Sequence, residues 1–212
     1  MKKYMLLPLM VVLIFSHVSC LKDRLSVGGD QSPMGEVGTT VSTTDSEAAQ
    51  YGIQNVRGEV VALEDGVSNM TLTAQVTNPA IRTILSNIPG TTVSGDLVTV
   101  KDMEFKSTMN GISCISPFAE GIVVDYSAKV GDKYPMKGTN KKREVVSRST
   151  DDDYPYFFWN IKVIEVVEPT GSFGIRETRY WANHKFGLVG IQFTIDDGTE
   201  VDLTVMTSSD NW

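Results

Sequence analysis

Residues 188–206 read LVGIQFTIDDGTEVDLTVM, and their alternation decides the fold class. Val189, Ile191, Phe193 and Ile195 fall on one face of an extended chain. Val201, Leu203 and Val205 fall on one face of the next, across Asp196-Asp197-Gly198. Successive side chains of a strand point to opposite sides, so a period of two broken by a Gly-containing turn reads as an antiparallel hairpin. The same character recurs upstream at 56–63, 70–76, 97–106, 112–115, 121–126, 144–149, 156–167 and 175–182, all rich in Val, Ile, Thr and aromatic residues. Asp65-Gly66, Asn110-Gly111 and Pro169-Thr170-Gly171 supply turns, where Gly or Asn accepts a positive φ. No helix recurs between strands, which disfavours a parallel sheet. The expected fold is mainly β, an antiparallel sheet forming a sandwich or half-barrel, with one short amphipathic helix packed on it.

That helix is marked by Asn78 as cap, Pro79 at the first position and Gly90 beyond its end. Ile81, Ile84, Leu85 and Ile88 form its apolar stripe. The longest expected strand, 156–167, reads YFFWNIKVIEVV. Its alternation assigns Phe157, Trp159, Ile161, Val163 and Val167 to the core, and Tyr156, Phe158, Asn160 and Lys162 to the opposite face.

The chain begins MKKYMLLPLMVVLIFSHVSC. Lys2 and Lys3 precede an apolar run at 5–15, too short for the roughly 20 residues that a membrane-spanning helix needs. Val18-Ser19-Cys20 resembles a bacterial lipobox, of the degenerate kind found in Bacteroidetes-type lipoproteins; His17 departs from the aliphatic residue usual there. The resemblance implies export, cleavage after residue 19 and lipid on Cys20. Leu21-Lys22-Asp23-Arg24 has no Asp directly after Cys20, which by the same resemblance favours the outer membrane, on its periplasmic face or at the cell surface. Residues 20–47 then read as lipidated Cys and a flexible Gly-, Ser- and Thr-rich tether, or in part as an N-terminal edge strand; residues 48–212 read as one β-rich domain.

The C-terminal segments Tyr180-Trp181 and Phe186-Gly187-Leu188-Val189 resemble bacterial secreted and lipoprotein domains built on a long antiparallel sheet. There, a Tyr-Trp hairpin strand precedes a Gly-Leu-Val strand. The resemblance covers about the last 80 residues and implies fold rather than activity, because such domains largely lack an assigned function.

Composition narrows the chemistry. With 19 basic and 26 acidic residues the net charge is −7, and loss of residues 1–19, which carry Lys2 and Lys3 but no acid, makes it −9. Nucleic-acid binding is disfavoured, because phosphate recognition needs clustered Lys and Arg. Cleavage also removes His17, so Cys114 and His184 become the only thiol–imidazole pair open to nucleophilic catalysis. A zinc site lacks ligands. Asp151, Asp152 and Asp153 are weak candidates for a hard cation, without the spacing of a calcium loop. No phosphate loop or dinucleotide fingerprint occurs, so neither a catalytic residue nor a cofactor is assigned.

The most informative surface candidate is DDDYPYFFW at 151–159, whose aromatics could stack on a sugar, a peptide or an apolar ligand. Tyr154, Tyr156, Phe158 and Trp181 are the expected contact residues. These features point to a non-enzymatic, lipid-anchored module for binding or assembly in the cell envelope, meeting the membrane through Cys20 and taking a glycan, peptide, lipid or envelope protein. The alternatives are a periplasmic carrier of lipid or another apolar ligand, and a Cys114/His184 hydrolase.

Overall fold

The computed structural model describes residues 25–209; the expected export signal and Cys20 lie outside them. Fifteen strands follow in order. The first nine are β1 Thr40–Thr43, β2 Ile53–Glu64, β3 Val67–Val76, β4 Thr91–Ser94, β5 Leu97–Thr108, β6 Gly111–Ser116, β7 Gly121–Asp125, β8 Lys133–Pro135 and β9 Lys142–Arg148. The rest are β10 Tyr154–Tyr156, β11 Trp159–Ile161, β12 Ile164–Glu168, β13 Ile175–Asn183, β14 Gly187–Ile195 and β15 Glu200–Ser208. Two helices interrupt them, α1 Asp45–Gln50 and α2 Pro79–Ser86.

Thirteen strands join one antiparallel sheet in the order β7-β6-β5-β3-β2-β1-β15-β14-β13-β12-β9-β8, with β4 added beside β5; β10 and β11 form a separate hairpin. The fold is therefore mainly β, as the alternation requires. The sheet curls until its edges meet: the Lys137 amide donates to the Glu120 carbonyl at 2.8 Å, and a Cβ on Gly121 would lie 2.7 Å from the Pro135 carbonyl oxygen. Only a residue without a side chain lets β7 and β8 approach so closely.

One face of the sheet points inward throughout. Val145, Val166, Tyr180, Ile191 and Leu203 are successive cross-strand partners on β9, β12, β13, β14 and β15. Two clusters fill this interior, one around Val124, Val145, Val166 and Ala182, the other around Ala48, Val76, Ile81, Val98 and Val201. Val189 breaks the expected alternation. The β13–β14 register shifts between Trp181 and Ala182, and Val189 packs with Tyr156, Ile161 and Val163.

The helix behaves as its sequence requires. The Asn78 carboxamide oxygen accepts from the amides of Ala80 and Ile81 at 3.0 and 3.3 Å, satisfying donors that the first turn leaves orphaned. Ile81 and Leu85 enter the second core cluster, and Ile84 meets Gly174 of the β12–β13 connection, so α2 covers one end of the barrel.

The other end is closed by residues expected to be a tether, which is a correction to that reading. Strand pairing brings the β2–β3, β5–β6 and β13–β14 turns to this end. The N-terminal segment runs across it. The Val27 amide donates to Ser113 Oγ at 2.9 Å, the Met109 amide to the Asp30 carbonyl at 2.9 Å, and the Gly38 amide to the Val60 carbonyl at 2.9 Å. Val27 and Met34 are buried. The segment then becomes β1, which is an interior strand between β2 and β15 rather than an edge. Its few apolar residues carry no period because they fix an irregular crossing, so composition resembled that of a spacer.

A buried polar network lies at the seam. Arg143, wholly buried on β9, donates through Nε to Glu168 of β12 at 2.6 Å. Its other nitrogens donate to the carbonyls of Ile122 and Ala119 at 3.0 and 2.9 Å. The Ile122 carbonyl belongs to β7 and the Ala119 carbonyl to the chain just before it, so the guanidinium ties β9 to the β7 edge. The Tyr180 hydroxyl donates to the same Glu168 oxygen at 3.0 Å. Desolvation works most strongly against the Arg143 charge, but the charge and hydrogen bond of Glu168, together with Tyr180 and Cys114, outweigh it and hold the guanidinium pKa above its ordinary value.

Candidate binding surface

The expected long strand at 156–167 does not form. It breaks into β10, a two-residue turn, β11 and β12, with Tyr156 pairing Trp159 across Phe157-Phe158. Phe157 has φ +53, in the left-handed region that favours glycine. No Gly, Asn or Asp stands at the turn, so nothing local announced it. The consequence overturns the predicted faces at Tyr156, Phe157 and Trp159, while Ile161 and Val163 are buried and Phe158, Asn160 and Lys162 are exposed, as assigned. Phe157 and Trp159, assigned to the core, are 45% and 62% exposed, and Phe158 is 94% exposed. Tyr156, assigned to the outer face, is buried.

The hairpin is fixed at its base. Tyr156 donates its hydroxyl to the Val205 carbonyl at 3.1 Å and packs against Phe186 with ring centroids 5.4 Å apart. Tyr154 stacks on Trp181 at 6.3 Å. Ile161, Val163 and Val189 complete this third cluster, on the sheet face opposite the interior. Burial, with the Glu47 and Asp202 carboxylates beside it, pushes the Tyr154 phenol up to about 12. Tyr154, Tyr156 and Trp181 thus form the foundation, Phe158 reaches solvent, and Phe157 and Trp159 join it in an apolar tip. Of the four expected contact residues, only Phe158 stands fully at the surface.

Glu47 ties α1 to the same region. Thr44-Asp45-Ser46-Glu47 has the spacing of a capping box, but its carboxylate instead accepts from the Thr44 hydroxyl at 2.7 Å and from the Thr204 amide at 2.9 Å. That amide lies just past the end of the β1–β15 ladder, so the side chain replaces a missing strand partner.

Asp151, Asp152 and Asp153 lie exposed in the loop leading into the hairpin, with the Thr150 hydroxyl donating to Asp151 at 3.2 Å. Among the described residues no group of three or more His, Cys, Asp or Glu side chains is arranged to hold a metal. In the Asp196-Asp197-Gly198 turn, the Thr199 amide donates to Asp197 at 2.8 Å and holds that carboxyl below its ordinary pKa.

Cys114 and His184 are not brought into a dyad. Cys114 packs against the first core cluster, where burial pushes its thiol up to about 11 and the neighbouring charges are Arg143, Glu168 and Glu120. His184 stands exposed in the β13–β14 turn. Two depressions of about 660 and 470 Å³ also mark the surface, beside Val41, Val56 and Met206 and beside Val27, Met109 and Tyr126, and both open widely to solvent. An apolar carrier needs an enclosed chamber, and both depressions lack enclosure.

No family model matches the chain, and no solved structure matches it.

Proposed function

We propose that this protein is a lipid-anchored binding or assembly module of the bacterial cell envelope, held at the outer membrane through Cys20, whose contact element is the Phe157-Phe158-Trp159 turn. The resemblance of Val18-Ser19-Cys20 to a lipobox supports the anchor. The observation that carries the binding role is the aromatic tip itself. Leaving a Phe in water forgoes about 1.5–3 kcal/mol of burial energy, and a non-glycine residue with left-handed backbone costs about 1–2 kcal/mol more. Both penalties fall at one turn, on a hairpin that Tyr154, Tyr156 and Trp181 hold rigidly against the barrel. Phe157 meets Tyr156 edge-to-face with ring centroids 4.7 Å apart, while Phe158 and Trp159 remain largely exposed. An apolar projection supported in this way suits recognition of another surface, since little ordering entropy remains to be lost on contact.

Palmitate labelling and membrane fractionation test the anchor: Cys20→Ser should lose both the label and recovery with membranes, and unchanged labelling would overturn it. The binding role is tested by Phe158→Ser in the lipidated chain, which should keep the labelled anchor and the barrel's thermal transition while losing envelope contacts captured by cross-linking. Cross-links that persist unchanged would remove the tip from the reading.

A further inference from the structure

We infer that the Phe157-Phe158-Trp159 tip contacts the interfacial region of the same bilayer that holds Cys20, so that the domain meets the membrane at two points. The inference rests on the anchoring proposed above and names the partner of that aromatic tip. Chain length and the place where the chain enters the domain carry it. Val27 is bonded to Ser113 and buried, so its fixed position lies only seven residue steps along the chain from Cys20. Seven extended residues reach at most about 25 Å, less than the thickness of a bilayer's hydrocarbon core. The apparent spacer of 28 residues is therefore mostly part of the barrel, and the end where Val27 enters lies close to the membrane surface.

The aromatic tip belongs to that end. The hairpin is inserted between the end of β9 and the start of β12, and Ile164 pairs with Arg148 and with Ala182, next to the β13–β14 turn. Phe186 of that turn packs on Tyr156, which adjoins the tip. Two further exposed apolar side chains, Val37 and Met109, lie in the N-terminal crossing and the β5–β6 turn at the same end. Trp suits the boundary between headgroups and acyl chains, where its ring meets hydrocarbon and its N–H meets water, and Phe adds apolar area on the acyl side. Exposed Lys162 at the base of the hairpin and exposed Lys185 in the β13–β14 turn can extend toward phosphate groups, while Asp151, Asp152 and Asp153 oppose approach to an anionic surface. The favoured partner is accordingly a zwitterionic phospholipid surface.

The test uses the full lipidated chain with Trp181→Phe and Trp212→Phe, leaving Trp159 as reporter, in vesicles of phosphatidylcholine and phosphatidylethanolamine. With brominated acyl chains, Trp159 emission should shift to the blue and be strongly quenched, and Phe158→Asp should reverse both changes. Flotation separates the two propositions. Protein that floats with the vesicles but keeps an unquenched, water-like Trp159 refutes the second contact alone. Protein that does not float overturns the anchor, and with it the distance argument. A photoreactive residue placed at Phe158 in cells should yield lipid adducts; one discrete protein adduct in their place would assign the tip to an envelope protein and overturn the membrane contact.

Discussion

Replacing Arg143 by Met should open the barrel at its seam. The substitution keeps an unbranched apolar stem but removes three hydrogen bonds, one to the Glu168 carboxylate at 2.6 Å and two to the Ile122 and Ala119 carbonyls. Glu168 is itself almost fully buried, so the variant leaves a carboxylate without its cation. Removing one partner of such a pair typically costs 3–5 kcal/mol, chiefly through the uncompensated charge left behind. Each orphaned carbonyl adds up to about 1–3 kcal/mol where water cannot reach it. A loss of about 4 kcal/mol is expected, which at a urea slope of about 2 kcal/mol/M lowers the unfolding midpoint by about 2 M. The change should be local before it is global, so amide exchange in β7 and at Lys137 should accelerate first. The double variant Arg143→Met, Glu168→Leu should recover at least half the loss, because no buried charge remains, although Tyr180 then lacks its acceptor. A single variant within about 1 kcal/mol of the parent, or a double variant no more stable than the single, would refute the view that this pair closes the sheet.

Four other outcomes follow from three further features. Phe157→Gly relieves a left-handed aromatic residue and should leave stability unchanged or raise it by up to about 1 kcal/mol by thermal melting, while weakening tip contacts; a clear loss of stability would show that the ring supports the hairpin. Cys114, with its thiol pushed from 9.0 to about 11, should alkylate at least about 100-fold more slowly at pH 8 in the folded than in the unfolded chain. Because the folded thiol holds its proton more tightly, its contribution to stability is complete below pH 9 and declines as pH rises toward 11, so a rise in stability assignable to this thiol over that interval would contradict the burial. Val27→Asp places a carboxylate in the first core cluster and should cost about 3 kcal/mol or more in chemical denaturation, whereas a free tether would tolerate it.

The sequence was most legible where one element carried its own signal. The β14–β15 hairpin was announced by alternation from Ile191 to Val205, though not at Val189, together with the Asp196-Asp197-Gly198 turn. In α2, Asn78, Pro79 and the isoleucine stripe acted within a few residues of one another. Reading failed where the deciding contact was distant. Residues 25–39 have the composition of a spacer, yet Ser113, Met109 and Val60 hold them in place through main-chain and hydroxyl groups that leave no mark on hydrophobic periodicity. Arg143 and Glu168 are 25 positions apart and look like ordinary strand charges until the sheet closes around them.

The candidate surface shows the same division. The sequence alone determined that aromatics would gather at 151–159 and that the domain would be an antiparallel β structure, because both depend on local composition and a period of two. Only the tertiary structure decided which rings face water. A turn at Phe157-Phe158 folds the chain back, so Phe157 and Trp159, which an unbroken alternation assigns to the core, are exposed and Tyr156 is buried instead. That turn persists because Tyr154, Tyr156 and Ile161 find their partners on β13, β14 and β15, and those partners assemble only when the sheet folds.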